Sequence, residues 1–206
     1  MKCKASSILA LCASLIATMG ATPAFAQTQV SAPDTGPFDG VFVEQIGDDN
    51  SGSFSQSNAE QNAEVTQDGD NNTAQVAQFG DGDHFAAIDQ TGGDNLASVT
   101  QGGSAQTVAL LTQTGDANTI LLSQNDNGLT GSGAAIAQNG TGNLATLIQD
   151  GDNNQAILAQ NGDNNTMSAT QVGSGNALEW TQNGNGLPDM SVIQTGGATA
   201  IITQGN

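Results

Sequence analysis

Apolar and polar residues alternate along most of this chain, and the alternation restarts about every 11 residues. The stretch Asn72-Thr-Ala74-Gln-Val76-Ala-Gln78-Phe-Gly80 is one unit. Asn72, Ala74, Val76 and Gln78 share one parity, and Thr73, Gln75, Ala77 and Phe79 share the other. A period of two sends successive side chains to opposite faces, so each unit predicts a short strand. The Gly and Asn that close each unit tolerate positive φ and predict a turn.

Fifteen glutamines mark the units: Gln45, Gln56, Gln67, Gln78, Gln90, Gln101, Gln113, Gln124, Gln138, Gln149, Gln160, Gln171, Gln182, Gln194 and Gln204. Of the 14 intervals, nine are 11 residues, three are 12, one is 10 and one is 14. Gly stands two residues after the glutamine in 12 of 15 units, and Asn often stands five after, as at Asn50. An apolar side chain stands two before it in every unit, and four before it is usually Ala or another apolar residue.

An 11-residue strand and turn cannot bury a core alone, so copies must stack. Two units make one coil of about 22 residues, and the 159 residues from Gln45 to Gln204 then give about seven coils, roughly 34 Å of stack. The predicted fold is all-β, a cross-β solenoid of two-strand coils. One face carries Gln45, Gln67, Gln90, Gln113, Gln138, Gln160, Gln182 and Gln204; the opposite face carries the other seven. Extra residues fall in turns, and the longest interval predicts a loop around Gly128 to Gly133. An 11-residue period also suits a right-handed helical coiled coil. A Gly in nearly every unit opposes it, at about 1 kcal/mol each relative to Ala. Apolar positions two apart would also lie on different helix faces.

The glutamines share parity with the apolar column and are predicted to point inward. Stacked amides can hydrogen-bond from coil to coil, which avoids the roughly 1–3 kcal/mol cost of a buried unpaired amide. A one-residue slip would put every amide on the wrong face, so such a ladder fixes register. The predicted structural ladder comprises the fifteen glutamines with Asn72, Asn95, Asn118, Asn143, Asn154, Asn165 and Asn176.

Composition narrows the function. Residues 1–26 have a basic start, an apolar stretch from Ile8 to Met19 and an Ala24-Phe25-Ala26 cleavage pattern, and so predict a secretory signal peptide. Residues 27–40 form an N-terminal segment, and 41–206 the array. Both cysteines and both lysines lie in 1–26, so a cleaved chain has no Cys, Lys or Arg and a formal charge near 0 − 20 = −20. That excludes disulfide chemistry, a basic nucleic-acid footprint and an electrostatic grip on anionic membrane. No membrane insertion of the cleaved chain is expected, and no cofactor or metal site. His84 is expected exposed beside a turn. Asp68/Asp70 and Asp150/Asp152 recur as turn features, so no pair stands out as acid and base, and no enzyme is predicted. Asp48 and Asp70 should stack at one edge, and their like charge predicts faster assembly at mildly acidic pH. Glu44, Glu64 and Glu179 are outward strand positions that oppose uncontrolled pairing. The competing class is a secreted acidic calcium-binding repeat protein, or an adhesin that does not polymerise. Calcium β-rolls, however, repeat every nine residues with a fixed Gly-Gly-x-Gly-x-Asp pattern.

The unit Gln67-Asp-Gly69-Asp-Asn-Asn72-Thr-Ala74-Gln-Val-Ala-Gln78 resembles the curlin repeat, Gln-x-Gly-x-x-Asn-x-Ala-x-x-x-Gln. Gln138 to Gln149 and Gln149 to Gln160 match it fully, and Gln171 to Gln182 departs only at Leu178. The resemblance implies a subunit of an extracellular curli-type amyloid fibre, serving cell adhesion and biofilm. It implies self-assembly, a nucleating subunit and an outer-membrane secretion channel that recognises residues 27–40. That segment departs from the family in having Pro33, Pro37 and only two glycines.

Overall fold

The computed structural model describes residues 29–31, 40–58 and 60–206. The expected signal peptide, and most of the 27–40 segment, lie outside the described residues. The array folds into 15 strands in two sheets. The eight-strand sheet stacks β1 (Gly40–Ile46), β3 (Asn62–Asp68), β5 (Phe85–Thr91), β7 (Thr107–Thr114), β9 (Ser132–Asn139), β11 (Gln155–Asn161), β13 (Ala177–Asn183) and β15 (Thr199–Gly205). The seven-strand sheet stacks β2 (Ser51–Gln56), β4 (Thr73–Phe79), β6 (Leu96–Gly103), β8 (Thr119–Asp126), β10 (Leu144–Asp150), β12 (Thr166–Val172) and β14 (Met190–Thr195).

Every pairing is parallel and joins a strand to the one two further along the chain, which makes a β-solenoid of about seven two-strand coils. Register follows the glutamines without exception. Gln113 pairs with Gln138 although 25 residues separate them, and Gln45 with Gln67 at 22. Turns absorb the difference. The longest one spans 127–131, shorter than the loop predicted up to Gly133, because Ser132 and Gly133 already pair in β9.

Between the sheets lies one continuous apolar core. It is built from the positions four and two before each glutamine, such as Ala109 and Leu111, Ala145 and Leu147, and Leu178 and Trp180. Small Ala in one column lets the sheets approach, while Val, Leu, Ile and Trp fill the other. The lone tryptophan, Trp180, is fully buried there, and its indole N–H has no hydrogen-bond partner among the described residues.

The two corners of the coil differ. The first corner follows each strand of the eight-strand sheet. It opens with Gly47, Gly69, Gly92, Gly115, Gly140, Gly162 and Gly184, all at positive φ. These glycines stack so closely that a Cβ on Gly92 would lie 2.2 Å from the carbonyl oxygen of Gly115. Six successive passes of this corner span 11 residues from glutamine to glutamine. The second corner follows the seven-strand sheet and takes 10, 11, 12 or 14 residues.

Candidate functional site

Each glutamine side chain is held between coils. Gln67 Nε2 donates to Gln90 Oε1 at 2.8 Å, Gln90 to Gln113 at 2.8 Å, and Gln113 to Gln138 at 3.0 Å. On the other sheet Gln78 donates to Gln101 at 2.9 Å, Gln101 to Gln124 at 3.0 Å, and Gln124 to Gln149 at 2.8 Å. The row continues through Gln138, Gln160, Gln182 and Gln204 on one sheet and through Gln149, Gln171 and Gln194 on the other. Gln45 and Gln56 start the two rows. The second amide N–H goes to a backbone carbonyl at the start of a strand in the facing sheet, as from Gln78 to Asn62 O and from Gln171 to Gln155 O. Both donors and the acceptor of an interior amide are thereby used, so these polar groups are buried without an unpaired atom.

The asparagines divide between the corners. Asn50, Asn72, Asn95, Asn118, Asn143 and Asn165 form one unbroken column at the first corner. Each Oδ1 accepts the backbone N–H of the next, for example Asn143 N to Asn118 Oδ1 at 3.1 Å. Each Nδ2 reaches the glycine carbonyl of the next coil, at 2.7 or 2.8 Å. Asn154 and Asn176 sit at the second corner, where Gln61, His84, Thr107 and Ser132 occupy the equivalent positions of earlier coils. Different chemistries do the same clipping there. Gln61 Nε2 reaches Gly80 O at 3.1 Å, Ser132 Oγ accepts Asn154 N–H at 3.0 Å, and Asn154 Nδ2 reaches Gly173 O at 2.8 Å.

His84 corrects the sequence expectation: it is fully buried. Its Nε2 lies 3.0 Å from Phe79 O and its Nδ1 2.9 Å from Thr107 Oγ1. A neutral imidazole protonated on Nε2 satisfies both, donating to the carbonyl and accepting from the hydroxyl. Burial pushes its pKa down, against smaller opposing pulls from Phe79 O and Asp83. A one-residue insertion in this turn moves His84 to six after Gln78, off the forward spacing of five that marks the asparagines. Counted backwards, His84, Gln61, Thr107, Ser132, Asn154 and Asn176 all stand six before a glutamine, as the first-corner asparagines do.

Carboxylates line the turns. Asp70 Oδ1 accepts the backbone N–H of Asp48 at 2.8 Å, and Asp116, Asp152 and Asp163 do likewise for Gly93, Thr130 and Thr141. No three His, Cys, Asp or Glu side chains converge on a metal-binding point among the described residues. Asp126 takes the place of a second-corner glycine and is buried, accepting from Gly128 N–H at 2.9 Å and from Ser132 Oγ–H at 2.6 Å. Asp89, on the outer face of β5, has its pKa raised by burial and then by the charge of Asp68.

Among the described residues the two ends of the stack are open: strands β1 and β2 pair on one side only, and so do β14 and β15. Inward apolar residues of the end coils, Phe54 at one end and Met190, Val192, Ala200 and Ile202 at the other, are only partly covered. Gln204 Nε2 donates to Pro188 O at 2.8 Å, which leaves a second amide N–H beyond the last coil. At the opposite end Gln45 and Gln56 spend their donors on the next coil and present Oε1 outward.

Residues 69–103, 130–162 and 140–173 match the curlin-associated repeat family. No curated protein and no solved structure matches the chain significantly. The matched segments fall within the stacked strands, where the family's glutamine, glycine and asparagine positions are the hydrogen-bonded columns just described. Over these residues the chain is built of curlin-associated repeats.

Proposed function

We propose that the chain is the structural subunit of an extracellular curli-type amyloid fibre that grows end to end. One observation carries the reading: the two ends of the solenoid are unpaired strand edges with complementary chemistry. The β15 end offers an amide N–H beside half-covered Ile202, and the β1 end offers Gln45 Oε1 beside Val43. A second copy stacked on the first would continue the glutamine rows and bury both apolar columns. Soluble proteins block such edges, and a heterologous contact that repeats makes a filament. Amide rows that set strand over strand within the chain serve as the same register device between chains.

The family resemblance adds the setting: secretion through the periplasm and an outer-membrane channel, a nucleating subunit, and adhesion within a biofilm matrix. The chemistry is structural, with no catalytic role proposed for any residue. Electron microscopy and fibre diffraction of the purified chain test the reading. Filaments with a meridional spacing near 4.7–4.8 Å are expected. Protein that stays monomeric through prolonged incubation would refute it.

A further inference from the structure

The two sheets carry different outer faces. On the seven-strand sheet the central outward positions are mostly Ser and Thr: Ser98, Thr100, Ser123, Thr146, Ser168 and Thr170. On the eight-strand sheet the alternation breaks, because β5, β7 and β11 are apolar on both parities. Phe85, Ala87, Val108, Leu110, Ala135 and Ile157 gather there into a second apolar cluster, separate from the inter-sheet core. A strand apolar on both faces is one that something covers.

Part of the cover is visible. Val30 belongs to this cluster and is only 3% exposed, although more than 50 residues separate it in sequence from the other members. It sits over Gly133 of β9, where a Cβ would lie 2.7 Å from both Val30 Cβ and Val30 O. Glycine inside a strand weakens it unless backbone or side chain must come close, and here Val30 does. Gln155 completes the seat. It is an outward residue of β11, yet buried, and its Oε1 accepts the Val30 N–H at 2.9 Å while its Nε2 donates to Gly131 O at 3.2 Å. A notch, a buried amide aimed at a backbone N–H and an apolar floor together recognise an extended segment with one β-branched side chain.

We infer that this face is a docking site for residues 29–31 of the same chain, and that the docked segment shields the apolar cluster from side-by-side association between copies. The site is distinct from the end-to-end contact: it lies on a sheet face, parallel to the stack axis. Docking and end-to-end growth are compatible, whereas docking and lateral pairing through this cluster exclude each other.

Amide hydrogen exchange on the purified chain, read before any filament forms, tests the seat. The Val30 amide should exchange on the order of 100-fold more slowly than in an unstructured peptide, given one buried hydrogen bond and one buried valine. Gly133→Ala fills the notch and should return Val30 to peptide-like exchange while the Leu110 and Leu158 amides stay protected. If Ala135 loses protection too, β9 itself is disturbed, and Val30→Asp, which leaves the array untouched, decides instead. Peptide-like exchange at Val30 in the parent chain would overturn the docking. Sedimentation then tests the shielding. The Val30→Asp chain should associate several-fold more than the parent, and equal association would overturn that half. Both readouts hold whether or not the chain forms filaments.

Discussion

The first corner of the coil is uniform and the second is varied, though both do the same mechanical job. At the first corner six asparagines in succession accept a backbone N–H and donate to a glycine carbonyl, over turns of constant length. At the second, Gln, His, Thr, Ser and Asn share the task over turns of several lengths. The difference shows what the fold requires. Position relative to the downstream glutamine is strict, whereas the chemistry that satisfies the corner is free wherever the turn can change length to fit it. Where the turn length is constant, asparagine recurs in six successive coils and makes the same two bonds each time.

The largest effect that would break this comparison is steric. Gly92→Ala places a Cβ against Gly115 O at a φ of +113, so it should cost at least about 3 kcal/mol. A denaturation midpoint close to that of the parent would mean the first corner is not rigid.

Next is the clip itself. Asn118 is fully buried; its Oδ1 accepts from Asn143 N and Nδ2, and its Nδ2 reaches Gly140 O. Asn118→Ala strands these partners and should cost about 2–4 kcal/mol by chemical denaturation. At the second corner Thr107→Val removes one bond to His84 and should cost about 1–2 kcal/mol. Equal losses at the two sites would erase the distinction.

A smaller effect runs the other way. The strict first corner forces Ala117 to a φ of 54, a left-handed conformation that strains a residue with a Cβ. Ala117→Gly relieves the strain and should stabilise by about 0.5–1 kcal/mol in a thermal melt.

The pH response sharpens the comparison further, because only the second corner holds a histidine. The folded pKa of His84 lies below its unfolded value of 6.5. The unfolded chain therefore binds the extra proton first, so stability is intact above pH 6.5 and falls as pH drops below it towards the folded value. Asp89 has the opposite sign: its folded pKa lies above 3.8, so stability rises as pH falls through that raised value towards 3.8. Denaturant midpoints at pH 7.5 and 5.5 should drop in the parent and drop less in His84→Asn. The same variant separates monomer destabilisation from the faster assembly expected when turn carboxylates are neutralised.

The strands, the two-sheet split and the glutamine register were legible because one parity carries an apolar residue and Gln in every unit, with Ala in most. The division of the asparagines was not. Counting forward from each glutamine crosses the turn, where insertions such as the one before His84 shift the count. Counting backward stays within one strand and recovers the column. The docking face was half legible: the apolar runs Phe85-Ala-Ala-Ile88 and Val108-Ala-Leu-Leu111 break the alternation. Nothing in either run says that Val30, more than 50 residues away, covers them.

The glutamine rows have one more consequence. Within each row the amide-to-amide bond runs from a glutamine Nε2 to the Oε1 of the glutamine in the next coil, on both sheets and without reversal. A stack of such subunits has a head and a tail. One terminus shows carbonyl oxygens of Gln45 and Gln56, and the other shows N–H groups from the β15 side. Two heads cannot meet, because acceptor would face acceptor. Growth at the two termini is then chemically inequivalent, and a small amide-bearing plug designed for one leaves the other free to elongate.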